Sequence, residues 1–173
     1  MSAWHDFYAI AGTASATLVG LLFVGLSLHL RVVVVRSDVR SLARVTLANF
    51  AVVLFVSLFM VIQQPQSATA FQLIGSGVVS LAIIAPSLVE AVRSHRRVLR
   101  LQQLVLRFGL SGISYLAIVL AGVLLLSSAA GSFTLLLIAT IVLLFVSLRN
   151  TWDLLVTVGE MTVAGEGKSR GPR

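Results

Sequence analysis

No cysteine occurs in the 173 residues, which excludes disulfides, thiolate metal sites and cysteine nucleophiles. Charge is almost as scarce. Only 11% of the residues are Asp, Glu, Lys or Arg, against about a quarter in a soluble domain. The chemistry-bearing patterns are missing too. No two carboxylates share an apolar stretch, and no His, Asp and Glu set has metal-ligand spacing. No phosphate-cradling glycine loop follows a strand pattern. These gaps predict a protein that is not an enzyme and that takes no cofactor and no metal.

What is abundant is apolar surface. The chain is 58% hydrophobic, with a mean hydropathy of +1.02. A fold of this size cannot enclose that much apolar surface, so the medium it predicts is lipid. The net charge of +7 does not point to nucleic acid. Its basic residues sit beside long apolar runs, not on a soluble amphipathic face, and no nucleic-acid motif accompanies them.

Apolar stretches of spanning length occur at residues 8–30, 44–62, 72–92, 108–127 and 133–152. A helix needs about 20 such residues to cross a bilayer. The predicted fold is therefore all-α, a polytopic bundle of five transmembrane helices occupying residues 1–163. Residues 164–173 are Gly-rich and polar and read as a disordered cytoplasmic tail.

All 13 Lys and Arg fall on one side of this scheme. Arg31, Arg36, Arg40 and Arg44 flank the first connection, and Arg93, Arg96, Arg97, Arg100 and Arg107 flank the third. Lys168, Arg170 and Arg173 lie in the tail, and Arg149 is nearest the same side. Segments 63–71 and 128–132 carry no charge. The positive-inside rule then predicts the N-terminus outside and the C-terminus in the cytoplasm. A cleaved signal peptide is disfavoured, because no basic n-region precedes the first apolar stretch. Trp4, Tyr8 and Trp152 suit the two headgroup regions.

Gly12, Ala16 and Gly20 recur every four residues on the first span, which predicts a helix-packing face where another backbone can come close. Ser114, Ala117 and Ala121 form a similar stripe on the fourth. Residues 22–26, 54–58 and 144–148 share the pattern Leu-Phe-Val-Gly/Ser-Leu, which a restricted apolar alphabet explains. Asn49 is the one strongly polar residue inside the second span and is predicted to hydrogen-bond a partner helix. Glu90 can pair with Arg93, about one turn away, or with Arg97 a further turn on, and Arg149 can pair with Asp153, about one turn away. Pro86 should kink or loosen the end of the third span.

Between spans three and four, Arg96, Arg97, Arg100 and Arg107 alternate with Val98, Leu101, Val105 and Phe108. That period fits a helix lying on the membrane surface, with the anionic inner leaflet as its partner. Gly109-Leu110-Ser111-Gly112 matches the GxSG string of rhomboid-type intramembrane proteases, and His29 lies towards the same side. Rhomboid cores use six spans, so the context for a Ser111–His29 dyad is absent.

The opening Trp4-His5-Asp6-Phe7-Tyr8 and the run from Ala11 through Leu28 resemble a group of small actinobacterial-type multi-span membrane proteins. The similarity is sharpest over the first span and weaker near Gln63-Gln64-Pro65. Members of the group are often labelled "modulator of FtsH protease". The proteins that properly carry that name have seven spans and a Bax-inhibitor-like fold, so this chain differs from them in span count. The resemblance implies a family setting and a multi-pass protein of the bacterial plasma membrane. It implies no activity and no site residues.

Three functions are compatible with these residues. The first is a non-catalytic helper that packs against another membrane protein or a second copy of itself. The second is an oligomeric small-solute or ion channel, and the third is a Ser111 protease.

Overall fold

The computed structural model describes the backbone of residues 2–28, 37–93, 98–129 and 131–169. Side chains are described for residues 4–28, 39–86, 109–129 and 131–159. The described residues form five helices: α1 (Ser2–Leu28), α2 (Ser37–Val61), α3 (Gln66–Arg93), α4 (Val98–Leu126) and α5 (Ser132–Ser169). No strand occurs among the described residues. All five helices are long and apolar enough to cross a membrane. Even α2, with 25 residues, is about 37 Å long at 1.5 Å per residue, which exceeds a hydrocarbon core of about 30 Å.

Each helix outruns at least part of its apolar stretch. The apolar window marks the depth of hydrocarbon, but a helix continues wherever its backbone stays paired and no breaker intervenes. Two expectations are corrected on this ground. Residues 98–108 do not form a separate surface helix; they are the first turns of α4, which runs unbroken to Leu126. The Gly-rich stretch 164–169, expected to be disordered, is the end of the 38-residue α5. Pro86 lies inside α3, which continues through it to Arg93.

Two connections are tight. Pro65 begins the turn into α3, and its carbonyl accepts hydrogen bonds from the amides of Ala68 and Thr69 at 3.0 and 3.2 Å. At the end of α4, the Ser128 amide donates to the Leu125 carbonyl and the Ala129 amide to the Leu124 carbonyl. That pair of bonds is a Schellman cap, and it places Ser128 in the left-handed region at φ 51°. Gly131 follows at φ 99°, a conformation that suits a residue without Cβ. These turns, with the N-terminus, define an end of the bundle that holds no Lys or Arg and is neutral but for Asp6. The opposite end carries the basic connections.

Helices α2, α3, α4 and α5 form a closed ring in which each packs against the next and α5 returns to α2. Helix α1 lies outside the ring against α2 and grazes α5. The main core holds Tyr8, Val53, Val56, Leu73, Tyr115, Ile118 and Leu143. A second cluster joins Leu22 of α1, Val39, Ala43 and Phe50 of α2, and Leu154 and Val158 of α5. The exterior is also apolar: Ile10, Phe71, Ile113 and Phe145 are each more than 60% exposed. A soluble monomer does not expose apolar surface on this scale.

Helices α3 and α4 make the most extensive contact, through two glycines. A Cβ built on Gly77 would lie 2.5 Å from Val119 Cγ2 and 3.2 Å from the Tyr115 carbonyl oxygen. One built on Gly122 would meet Ile74 Cγ1 at 2.8 Å and the Ala70 carbonyl oxygen at 3.0 Å. Backbone cannot move aside as a side chain can. Lipid gives apolar groups little reason to leave it, so close van der Waals approach supplies the association. Gly122→Ala should therefore destabilise the bundle by about 1–3 kcal/mol, the usual range for overpacking. Gly75→Ala should be near neutral, because nothing lies within 4 Å of a Cβ there. Equilibrium unfolding of both variants in mixed micelles checks the contrast.

Candidate functional site

The most organised polar group in the membrane-spanning region is centred on Asn49. This residue is fully buried on α2. Its Nδ2 donates to Ser111 Oγ at 3.0 Å, and Tyr115 Oη donates to its Oδ1. Ser111 and Tyr115 stand four residues apart on α4, so they share one face one turn apart. Helices α2 and α4 are not neighbours in the ring. The three side chains therefore tie opposite members of the ring through its interior. An amide buried in hydrocarbon without partners would cost several kcal/mol; here both ends of the carboxamide are engaged.

Other polar groups are buried elsewhere in the bundle. Thr46 and Thr140 donate to the carbonyls four residues back, Leu42 and Leu136. Ser15 of α1 donates to the Phe50 carbonyl of α2 at 2.7 Å, the polar bond that fastens α1 to the ring. Ser147 Oγ and both polar atoms of the Asn150 side chain are buried on α5 without a hydrogen-bond partner. Ser57 Oγ is likewise buried and unpartnered, and Tyr8 Oη is buried facing Thr140. At mid-depth the ring is filled by Val53, Tyr115, Ile118 and Leu143, all fully buried.

The small-residue stripe on α1 is divided. Gly12 faces α2, where a Cβ would come within 2.9 Å of Ser57 Cβ. Ala16 is exposed, and Gly20 is exposed with nothing within 4 Å of an added Cβ. The face that α1 turns to the bundle runs instead through Tyr8, Ala11, Gly12, Ser15 and Leu22. On α4, Ser114 and Ala121 are buried and Ala117 is packed against the core.

Ser111 is fully buried, and its oxygen accepts a bond from the Asn49 amide, which cannot serve as a base. His29, the other half of the imagined dyad, lies outside the described residues. The described histidine, His5, sits near the neutral end beside Asp6 at 3.6 Å. Arg93 ends α3, and Arg100 and Arg107 belong to α4, but their side chains lie outside the described residues. Arg96 and Arg97 lie outside them altogether, as does the Glu90 side chain. Arg149 is exposed on α5, one turn before Asp153. Among the described residues, no three His, Asp or Glu side chains come together.

Tyr115, Ser147 and Asn150 were not singled out from sequence. Tyr115 lies four residues after Ser111, and Asn150 three after Ser147, which is same-face spacing. That spacing was the available signal, but it does not say which helix stands opposite.

The fold and these contacts define the class: an all-helical membrane bundle with a hydrogen-bonded polar tie across its interior. Comparison with known proteins adds no particular identity, since no family model, curated protein or solved structure matches the chain.

Removing the Asn49 amide strands Tyr115 Oη and weakens the link between α2 and α4. Asn49→Leu should cost about 1–2 kcal/mol, and Tyr115→Phe less, near 0.6–1.7 kcal/mol for a single bond within a membrane. A double-mutant cycle measured by unfolding in micelles should show the two changes strongly non-additive. Additive losses would mean the bond carries no energy.

Proposed function

We propose that this protein is a non-catalytic helper of the bacterial plasma membrane that binds a helix of another membrane protein through the outward face of α1. Its N-terminus is outside and its C-terminus in the cytoplasm, as the distribution of the 13 basic residues favours. The observation that carries the reading is the geometry of α1. This helix is fastened on one side only, through Gly12, Ser15 and Leu22. Its other side presents Thr13, Ala16, Thr17 and Gly20, all exposed.

That outward face suits a close helix approach. Its side chains are small, and a shallow groove lies along Ala9, Ile10, Thr13, Ala14, Thr17 and Leu18. The hydroxyls of Thr13 and Thr17 donate to the carbonyls of Ala9 and Thr13, so they demand nothing from a partner. A neighbouring backbone can come near without stranding a polar group. The resemblance described above is also sharpest over this helix. A membrane-bound protease complex is therefore the first partner to test.

The chain has no cysteine, so a single introduced thiol reports without background. Ala16→Cys should cross-link in native membranes to one stoichiometric partner. Adding Gly20→Leu should abolish that product while changing stability by no more than about 0.5 kcal/mol, as expected for a surface position. A cross-link that survives Gly20→Leu, or no product at all, rejects α1 as the docking face.

A further inference from the structure

We propose that the groove between α2 and α3 binds one acyl chain of a membrane lipid, from the leaflet on the side of the neutral end. The α2–α3 contact is the slightest of the four side-by-side contacts in the ring, although only residues 62–65 join the two helices. The space left between them has a volume of ≈ 320 Å³. Ala48 and Ala51 on α2, and Gly75 and Ser76 on α3, keep it open by being small. A Cβ added at Gly75 would meet nothing within 4 Å.

Length and depth identify the occupant. The groove runs from Phe59 to Ala48 on α2 and from Gln72 to Ile83 on α3. Each run is about 16 Å at 1.5 Å per residue, which is about half of a 30 Å hydrocarbon core. It therefore starts near the neutral end and stops near the midplane. A docked transmembrane helix would follow the full thickness and needs a channel about 10 Å wide. A single acyl chain spans one leaflet.

The polarity of the groove agrees. Ser76 Oγ donates to the Leu73 carbonyl at 2.9 Å and Ser80 Oγ to the Ser76 carbonyl at 2.7 Å. Both hydroxyls are thus satisfied within α3 and ask nothing of an occupant. The one strongly polar wall residue is Gln72, at the neutral-end mouth, where it exchanges hydrogen bonds with Gln64. That is the level of a lipid's ester groups. The groove is apolar where a lipid tail would lie and polar where its ester region would begin.

The test uses the full-length protein in nanodiscs of phosphatidylethanolamine and phosphatidylglycerol. A fraction of the lipid carries a diazirine midway along one acyl chain. After irradiation, peptides are mapped for adducts. Adducts should concentrate on residues 48–59 and 72–83, above the level on the outward-facing Ile138, Ile141 and Phe145 of α5. Gly75→Phe should fill the groove and lower its labelling by roughly tenfold, equal to about 1.4 kcal/mol of occupancy, with α5 labelling unchanged. Ala51→Leu is the second variant should Gly75→Phe fail to fold. Groove labelling no greater than that of α5, or unchanged in a folded filled variant, overturns the proposal. Disulfide dimers formed by Gly75→Cys would also overturn it, since a second copy would then hold the site.

Discussion

A backbone amide in hydrocarbon has no water to bond, so every spanning segment must satisfy its own amides and carbonyls, and the α-helix does so within one segment. The rest of this structure follows from that requirement. Helices that face lipid on the outside and one another on the inside gain little from apolar contact, because both settings are apolar. Association must come from backbone approach and from hydrogen bonds that lipid cannot replace. Gly77 and Gly122 bring α3 and α4 together in the first way. Asn49, Ser111 and Tyr115 join α2 to α4 in the second.

These devices divide the labour. Glycine contacts act between ring neighbours, where a missing Cβ lets two backbones meet. The Asn49 group acts across the ring, where only long side chains reach. Ser15 and Gly12 attach α1 from outside, through a hydrogen bond to Phe50 and a close approach to Ser57. Helix α1 remains the least buried of the five spans, with 17% of its apolar window covered. It holds the bundle by one face and leaves the other to whatever lies beside it in the membrane. At the slightest ring contact, α2 against α3, neither device is seen among the described residues. The small residues Ala48, Ala51 and Gly75 there leave space instead of closing it.

Much of the architecture is legible in the sequence, because hydrocarbon thickness and helical rise together set the length of an apolar run. The five runs correspond to the five helices. The helix ends are less legible. Hydropathy marks where the lipid stops, whereas α4 and α5 continue at the basic end, to Val98 and Ser169. Asn49 stands out from sequence as a lone amide in an apolar run. Its partners do not, since a serine and a tyrosine four residues apart are ordinary until α4 is placed opposite α2.

The sequence by itself determined the medium, the class and the number of spans, since these depend only on how many consecutive residues can tolerate lipid. Tertiary structure alone decided which face of each helix is internal. Gly12, Ala16 and Gly20 are equivalent in spacing, yet only Gly12 meets another helix in the monomer. The cause is geometric. Inside and outside are equally apolar for these spans, so hydrophobic periodicity carries no directional information, and the direction is set by where neighbouring helices can approach and what their polar groups can reach.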